Sequence, residues 1–559
     1  MSDENFKLSE IAYERVTIES FEKEASEIIS QFKSAKTGEE QFAVHKKYYA
    51  LTDKVNTLMI LAGMRHDGDV SNKFYEEEQE YYDQIYPRID SFNAKYKKVI
   101  FESQNRAYLE DKLGKVTFKD IEIELKSFDD VLIPLQQEEN VLTSKYNKLI
   151  AETKVEFRGE TLNLSLLGKY LKSKDRQTRI EAAKVRSEKL LTIAGELDGI
   201  FDELVKNRNK QAKAMNYENY VELGYYKMGR NSYDKTDVAK FRDEVKKVFV
   251  PFASKMHEER RKRLGLEKLD FVDEGVYFHY GNPIPVGDAN DIFVAGKKMY
   301  SELSPETNKF FNFMLKHELF DVLGRPNKVT GGYMDMLMSY KAPIIFANFN
   351  GTSDDVDVIT HECGHAFQGY LTRDDEIAEH NNLTSETAET HSMSMEFFTE
   401  KWMELFFGDR AEDYRKMHLQ DAIAFIPYGC MIDEFQEIIY TKPELTPKER
   451  CEVWKSLEKE YKPHLTFKDD KFFGDGRTWQ MQKHVYNWPF YYIDYCLAQT
   501  CALQFKIRMD QDHKDAWQKY LDFSLESAKD FFPNMLHNVG LKSPFEEGFM
   551  QELVDNIKL

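Results

Sequence analysis

The stretch that decides the reading of this chain runs from Ser353 to Glu396. It contains His361-Glu362-Cys363-Gly364-His365, then Ser385-Glu386-Thr387-Ala388-Glu389, and continues to Glu396. Around the pentad, Val356, Ile359, Cys363, Ala366, Phe367 and Tyr370 recur at intervals of three and four, the apolar stripe of a helix. On that helix His361 and His365 lie four residues apart and project from nearly one face, where both imidazoles can reach a single zinc ion. Glu362, between them, reaches water at such an ion rather than the ion itself. Ser353 is the expected N-cap, and Asp354 and Asp355 suit the positive end of the helix dipole. Gly364 costs about 1 kcal/mol against Ala in a helix interior, and is read as a place where a second helix packs closely.

A bare H-E-x-x-H is a weak signal until a third ligand is found. From Ser385 to Phe398 the chain has few breakers, so a second helix is predicted there, with Glu389, Ser392, Met393 and Glu396 on one face. A helix–loop–helix hairpin brings Glu389 back beside the two histidines. Two His, one carboxylate and an open position make the donor set of a catalytic zinc site, whereas a structural site is closed by four ligands. On spacing alone Glu386, three residues earlier on a similar face, is a rival ligand.

These residues carry a resemblance. H-E-C-G-H-A-F-Q-G-Y followed by E-T-H-S-M-S-M-E-F-F is similar to the thimet oligopeptidase and oligoendopeptidase F family of zinc metallopeptidases, in detail over the C-terminal two-fifths. The resemblance implies zinc ligation by His361, His365 and Glu389, with Ser392 and Glu396 completing an E-x-x-S-x-x-x-E pattern, and it selects Glu389 over Glu386. It also gives meaning to the segment from His484 to Tyr495, which alone reads as an aromatic helix start. The family's similar H…F-Y-x-x-x-Y segment implies oxyanion-stabilising roles for His484 and Tyr495, and for Tyr492 as a third. The spacing from His to the last Tyr is one residue shorter here than in thimet oligopeptidase.

The implied fold is mainly α, with two helical lobes around a deep substrate channel and a small β-sheet next to the zinc helix. The implied activity is zinc-dependent endopeptidase cleavage of internal bonds in short oligopeptides by a metal-activated water. It uses one zinc ion per chain, with Glu362 as general base and then proton donor to the leaving amine. A zinc carboxypeptidase is the alternative; it needs a cation for the substrate carboxylate, and near the motif only Arg373 offers one. A non-catalytic helical peptide-binding protein with a relic pentad is the reading from a different class.

The bulk numbers agree with a large soluble protein. At 559 residues the chain exceeds what one core needs, and residues 1–200 are read as an N-terminal helical region before a catalytic region at 201–559. A net charge of −20, from 97 acidic and 77 basic residues, argues against nucleic acid or an anionic membrane as partner. The first five residues are polar and acidic, without a secretory pattern, which makes a cytoplasmic location the expectation. Cys363, Cys430, Cys451, Cys496 and Cys501 are few and odd in number, so reduced thiols are expected, with Cys363 in helix packing. Oligomeric state is not legible.

Elsewhere, Ile18, Phe21, Ala25, Ile28 and Phe32 mark a helix, and Phe74, Tyr75, Tyr81, Tyr82 and Tyr86, up to Pro87, mark a helix–helix seam. Residues 155–164 alternate around Arg158-Gly159, a small hairpin. The breakers from Tyr280 to Gly287 mark a subdomain junction or a loop within one lobe. Pro343 to Gly351 reads as a strand just before the metal helix, either an edge strand that substrate backbone could extend or an ordinary buried one. Asp357, one turn before His361, reads either as the acceptor for the imidazole N–H that faces away from zinc or as a solvated first-turn carboxylate. Ser543-Pro544-Phe545-Glu546 is a capping box opening a last helix to about Ile557.

Overall fold

The computed structural model of the chain describes residues 6–468 and 470–559; residues 1–5, read above as an acidic start, lie outside them. The N-terminal part is built from long helices. Helix α1 (Ile18–Ser34) buries the five apolar positions its spacing selects. Helix α2 (Gly38–Gly68) opens on a capping box in which Thr37 and Glu40 satisfy each other's backbone N–H groups. Helix α3 (Lys73–Phe101) runs straight through Pro87. Pro87 has no N–H for the carbonyl of Asp83, and Asn140 Nδ2 donates to that oxygen instead, at 3.0 Å. The aromatic seam forms in part: Tyr81 OH donates to the Val16 carbonyl at 3.0 Å and Tyr82 is buried, but Phe74 and Tyr86 stay exposed.

These helices enclose a core of their own, from Ile18 to Ile121. A larger core takes most of the chain beyond residue 197. Between them, β1 (Lys154–Phe157) and β2 (Glu160–Asn163) form the predicted hairpin, turning at Arg158 and Gly159 with φ of 52° and 83°. Helix α4 (Arg176–Ala214) runs unbroken through residue 200. Helix α5 (Val250–Arg263) precedes β3 (Leu269–Asp270), which pairs in parallel with β7 (Leu465–Thr466). Residues 280–287 form a loop tied to the larger core by Val286 N–H on the Phe406 carbonyl at 2.8 Å. No helix among the described residues is long and apolar enough to cross a membrane.

The sheet that positions the site has three strands in the order β4 (Phe320–Leu323), β6 (Ala342–Phe349), β5 (Tyr333–Leu337). The strand expected at 343–351 is therefore central, parallel to β4 and antiparallel to β5, and buried along nearly its whole length. The edges are β4 and β5, not β6. Helix α6 (Asp354–Thr372) follows β6. Ser353 does not cap it, having helical φ and ψ and no cap bond. Asp355, in the first turn, instead ties down the loop before the helix, accepting from Asn350 and Gly351 N–H at 2.8 Å each, with Gly351 in the left-handed region.

Helix α7 (Ser385–Phe398) crosses α6 at Gly364, where a Cβ would lie 2.5 Å from Ser392 Cα and 2.9 Å from the His391 carbonyl. Helices α8 (Ala411–Thr441), α9 (Pro447–Tyr461) and α10 (Tyr492–Gln511) complete the surroundings. The five cysteines are unpaired and buried. The last helix, α11 (Phe549–Asn556), starts later than the capping box suggested. Glu546 accepts from Ser543 N–H at 2.7 Å, but Gly548 at φ 76° inserts a further turn before the helix.

The crossing at Gly364 predicts that Gly364→Ala costs ~1–3 kcal/mol in urea unfolding, because the backbone of α7 must move. Gly63→Ala, in α2 with nothing within 4 Å of the added methyl, should be neutral or stabilising. Equal effects at the two positions would refute the close-approach account.

Candidate metal centre

Helices α6 and α7 bring His361, His365 and Glu389 together, with one potential ligand atom from each lying within 4.8 Å of the others. Glu389 Oε2 is 3.3 Å from His361 Nε2 and 3.3 Å from His365 Nε2. The two rings stand nearly perpendicular, at 83°, with both Nε2 atoms at the same Glu389 oxygen. Three donors of this kind could hold a metal ion. Glu389 is 2% exposed. Its Oε1 accepts from Tyr491 OH at 2.7 Å and its Oε2 from Ser392 Oγ at 3.1 Å.

Behind His361 a relay of charge runs outward. His361 Nδ1 donates to Glu396 Oε1 at 2.6 Å, which leaves the Nε2 lone pair facing the centre. His418 Nε2 bonds Glu396 Oε2 at 2.7 Å, His418 Nδ1 bonds Glu400 at 3.3 Å, and Lys506 Nζ lies 3.4 Å from Glu400. Burial pushes the Glu396 carboxyl up, but the bonds from His361 and His418 outweigh it and hold the group at about 2. Glu396, not Asp357, is thus the imidazole partner. Asp357 accepts from Tyr414 OH, and burial lifts its carboxyl to about 7.

Glu362 lies beside the donors with Oε2 buried and without a hydrogen-bond partner among the described residues. Burial raises its pKa, and the two histidines oppose the rise. Gly332, just before β5, faces it: a Cβ there would lie 3.2 Å from Glu362 Oε1.

The segment from His484 to Tyr495 packs against this cluster. Tyr428 OH donates to Gln482 Oε1 at 3.0 Å, which turns the amide nitrogen of Gln482 toward His484 Nδ1 at 3.3 Å. The neutral imidazole therefore carries its proton on Nε2, 3.4 Å from Tyr495 OH. Burial, helped by Lys483, lowers the His484 pKa to about 4. Tyr492 packs its ring against Phe425 and Tyr495 and makes no bond to the three convergent donors.

Tyr491 is the residue that sequence reasoning missed. It stands one position before α10, after Phe490 at φ 68°, so no helical spacing assigns its direction. The Phe490 turn is held by Gln436 on its N–H at 3.1 Å and by Arg230 on its carbonyl. The rival ligand Glu386 faces elsewhere, accepting from Thr384 Oγ1 at 2.6 Å and Tyr233 OH at 3.3 Å. Arg373 lies over the Tyr370 and Phe313 rings, at 4.0 and 4.6 Å.

Comparison with known proteins follows the same residues. The model of the peptidase M3 N-terminal domain matches residues 8–128, and that of peptidase family M3 matches 169–279 and 301–554. A solved structure described as PZ peptidase A with inhibitor 2 is 42% identical, covers 98% of each chain and has a TM-score of 0.97. An oligoendopeptidase F homolog of Lactococcus lactis subsp. lactis is 20% identical over 89% of this chain and 85% of its own. Another, from Borreliella burgdorferi, is 22% identical over 85% of this chain and 83% of its own. With the family model matching most of the sequence, the chain belongs to peptidase family M3.

Proposed function

We propose that this M3 peptidase is a zinc-dependent endopeptidase that hydrolyses internal bonds of short oligopeptides, at a cytoplasmic location. The observation that carries the reading is the convergence of His361, His365 and Glu389 beside a buried, partnerless Glu362 oxygen. The donor set fits zinc: two imidazoles and one carboxylate, with one imidazole fixed by Glu396. Zinc held there would supply Lewis acidity, polarising the scissile carbonyl and making water acidic enough to lose a proton near pH ~7.

In this reading the chain's own groups do the rest. Glu362 accepts the proton of the attacking water and returns it to the leaving amine. Tyr495 OH and His484 Nε2–H donate to the carbonyl oxygen as it gains charge, and Tyr492 braces both rings. Tyr491 and Ser392 hold the Glu389 carboxylate in place. Substrate backbone lies along edge strand β5, next to Glu362. The two helical cores flank a channel that limits entry to short, flexible chains. Against the carboxypeptidase alternative, Arg373 is occupied by two aromatic rings.

Three measurements test the assignment. Glu362→Gln should keep its zinc by elemental analysis and lose about 10²–10⁴ in kcat; near wild-type turnover removes Glu362 from the role. Tyr491→Phe should weaken zinc affinity by about 10–100-fold in a chelator competition, and unchanged affinity would show that the phenol does not anchor Glu389. Because the His484 pKa is displaced downward, the ring stays neutral from pH 5 to 8. His484→Gln should therefore lower kcat by about 10²-fold without changing the shape of its pH profile. An inflection near pH 6.5 present in the wild type and lost in the variant would contradict this.

A further inference from the structure

A cavity of 410 Å³ adjoins the metal-site network, lined on one side by Glu396, His418 and Phe425. The Phe425 ring packs 5.9 Å from that of Tyr495. The lining also carries His257 and Arg260 of α5, Lys462 and His464 just after α9, and the carboxylates of Glu274, Asp357 and Asp421. Arg260 is 1% exposed. Its Nη1 donates to the Glu274 carbonyl at 3.1 Å, and its plane lies 4.8 Å from the Tyr277 ring. Its Nε and Nη2, the two donors of one guanidinium edge, have no partner among the described residues.

The neighbours repeat the pattern. His257 and His464 stack with centroids 3.6 Å apart, and His257 Nδ1 and His464 Nε2 are likewise buried without partners. Lys462 is paired, to the Glu274 carboxylate. Burial is the largest cause pushing both imidazoles down, followed for His464, which falls to about 3, by Lys462, so they stay neutral.

A buried guanidinium normally sits against an anion, since an uncompensated charge in a poorly hydrated place is costly. Two carboxylates of the cavity wall, Glu274 and Asp421, feel the Arg260 charge but bond Lys462 and the Tyr277 hydroxyl, and the free donors of Arg260 form the edge that takes a carboxylate with two parallel bonds. We infer that this cavity binds a carboxylate of the peptide substrate, on the free edge of Arg260 with His257 and His464 beside it. The inference rests on the peptidase reading for the identity of the ligand. The chain's free C-terminus is one source of that carboxylate and an acidic side chain the other. Held at its C-terminus, a peptide would be cut at a set distance from its end, which makes Arg260 a specificity residue rather than a catalytic one.

The test uses one oligopeptide in three forms: free acid, C-terminal amide, and free acid with its internal Glu replaced by Gln. Binding to zinc-loaded Glu362→Gln is read by fluorescence anisotropy, and cleavage by the wild type by mass spectrometry. The free acid should bind at least about tenfold tighter than the amide. Adding Arg260→Gln or, should that variant not fold, His464→Phe should bring the ratio toward one. A tenfold loss with Gln in place of Glu, and none on amidation, supports the site and assigns it to a side chain. Equal affinity for all three forms overturns it, whether or not the peptides are cut. Tighter binding of the acid without cleavage leaves the carboxylate site standing and sinks the peptidase reading instead.

Discussion

A carboxylate that is almost wholly buried has to be surrounded by donors, and Glu389 imposes that demand on everything near it. Its two oxygens face His361, His365, Tyr491 and Ser392, which arrive from α6, from α7 itself and from the turn before α10. No single element could supply them. The close crossing of α6 and α7 at Gly364, and the left-handed turn at Phe490, are the backbone conditions for that convergence. Burial alone would raise the carboxyl pKa, but the opposing histidines hold it well below its ordinary value. The same side chain thus joins two helices and offers an anionic ligand atom between them.

The demand then propagates. Helix α7 and the turn after it present Glu386, Glu389, Glu396 and Glu400 to the interior, and each meets a different answer. Hydroxyls of Thr384 and Tyr233 satisfy Glu386, and the histidine pair flanks Glu396. Lys506 lies against Glu400. Charges alternate in sign from Lys506 inward, so His361 is held by a carboxylate that is itself held. A ring anchored this way keeps its orientation without help from a metal.

What could be read from sequence was what depends on short spacing. The pentad, the stripe beside it, the 18–32 helix and the Arg158-Gly159 hairpin are set by neighbours within a turn or two, and the structure has them where the spacing puts them. What could not be read depends on partners far along the chain. Helical spacing pointed to Asp357 for the back of His361, but α8 places Tyr414 against Asp357 and His418 against Glu396, the carboxylate that His361 bonds. Pro87 stops a helix only if the freed carbonyl has no substitute donor, and Asn140 lies 57 residues beyond the Asp83 oxygen it reaches. The choice between edge and centre for β6 turned on whether the apolar run had two neighbours, a question of topology that its composition leaves open.

The distribution of charge around the site has a direction. On the β5 side, Asp335 is lifted to about 7 by burial and by the nearby Asp67 and Glu362, the mark of a region crowded with acids. The cavity that Glu396 also lines holds Arg260, a cation with one edge that no group among the described residues bonds. A peptide in water is a dipole with an ammonium at one end and a carboxylate at the other. Laid across this field, it is favoured in one orientation and opposed in the reverse, by Coulomb terms that grow as the surroundings lose water. If the protein acts on peptides as proposed, the acidic groups near Glu362 and the free edge of Arg260 would act together on the peptide's carboxylate. In the proposed function that field would favour one polarity of binding without calling on His361, His365 or Glu389.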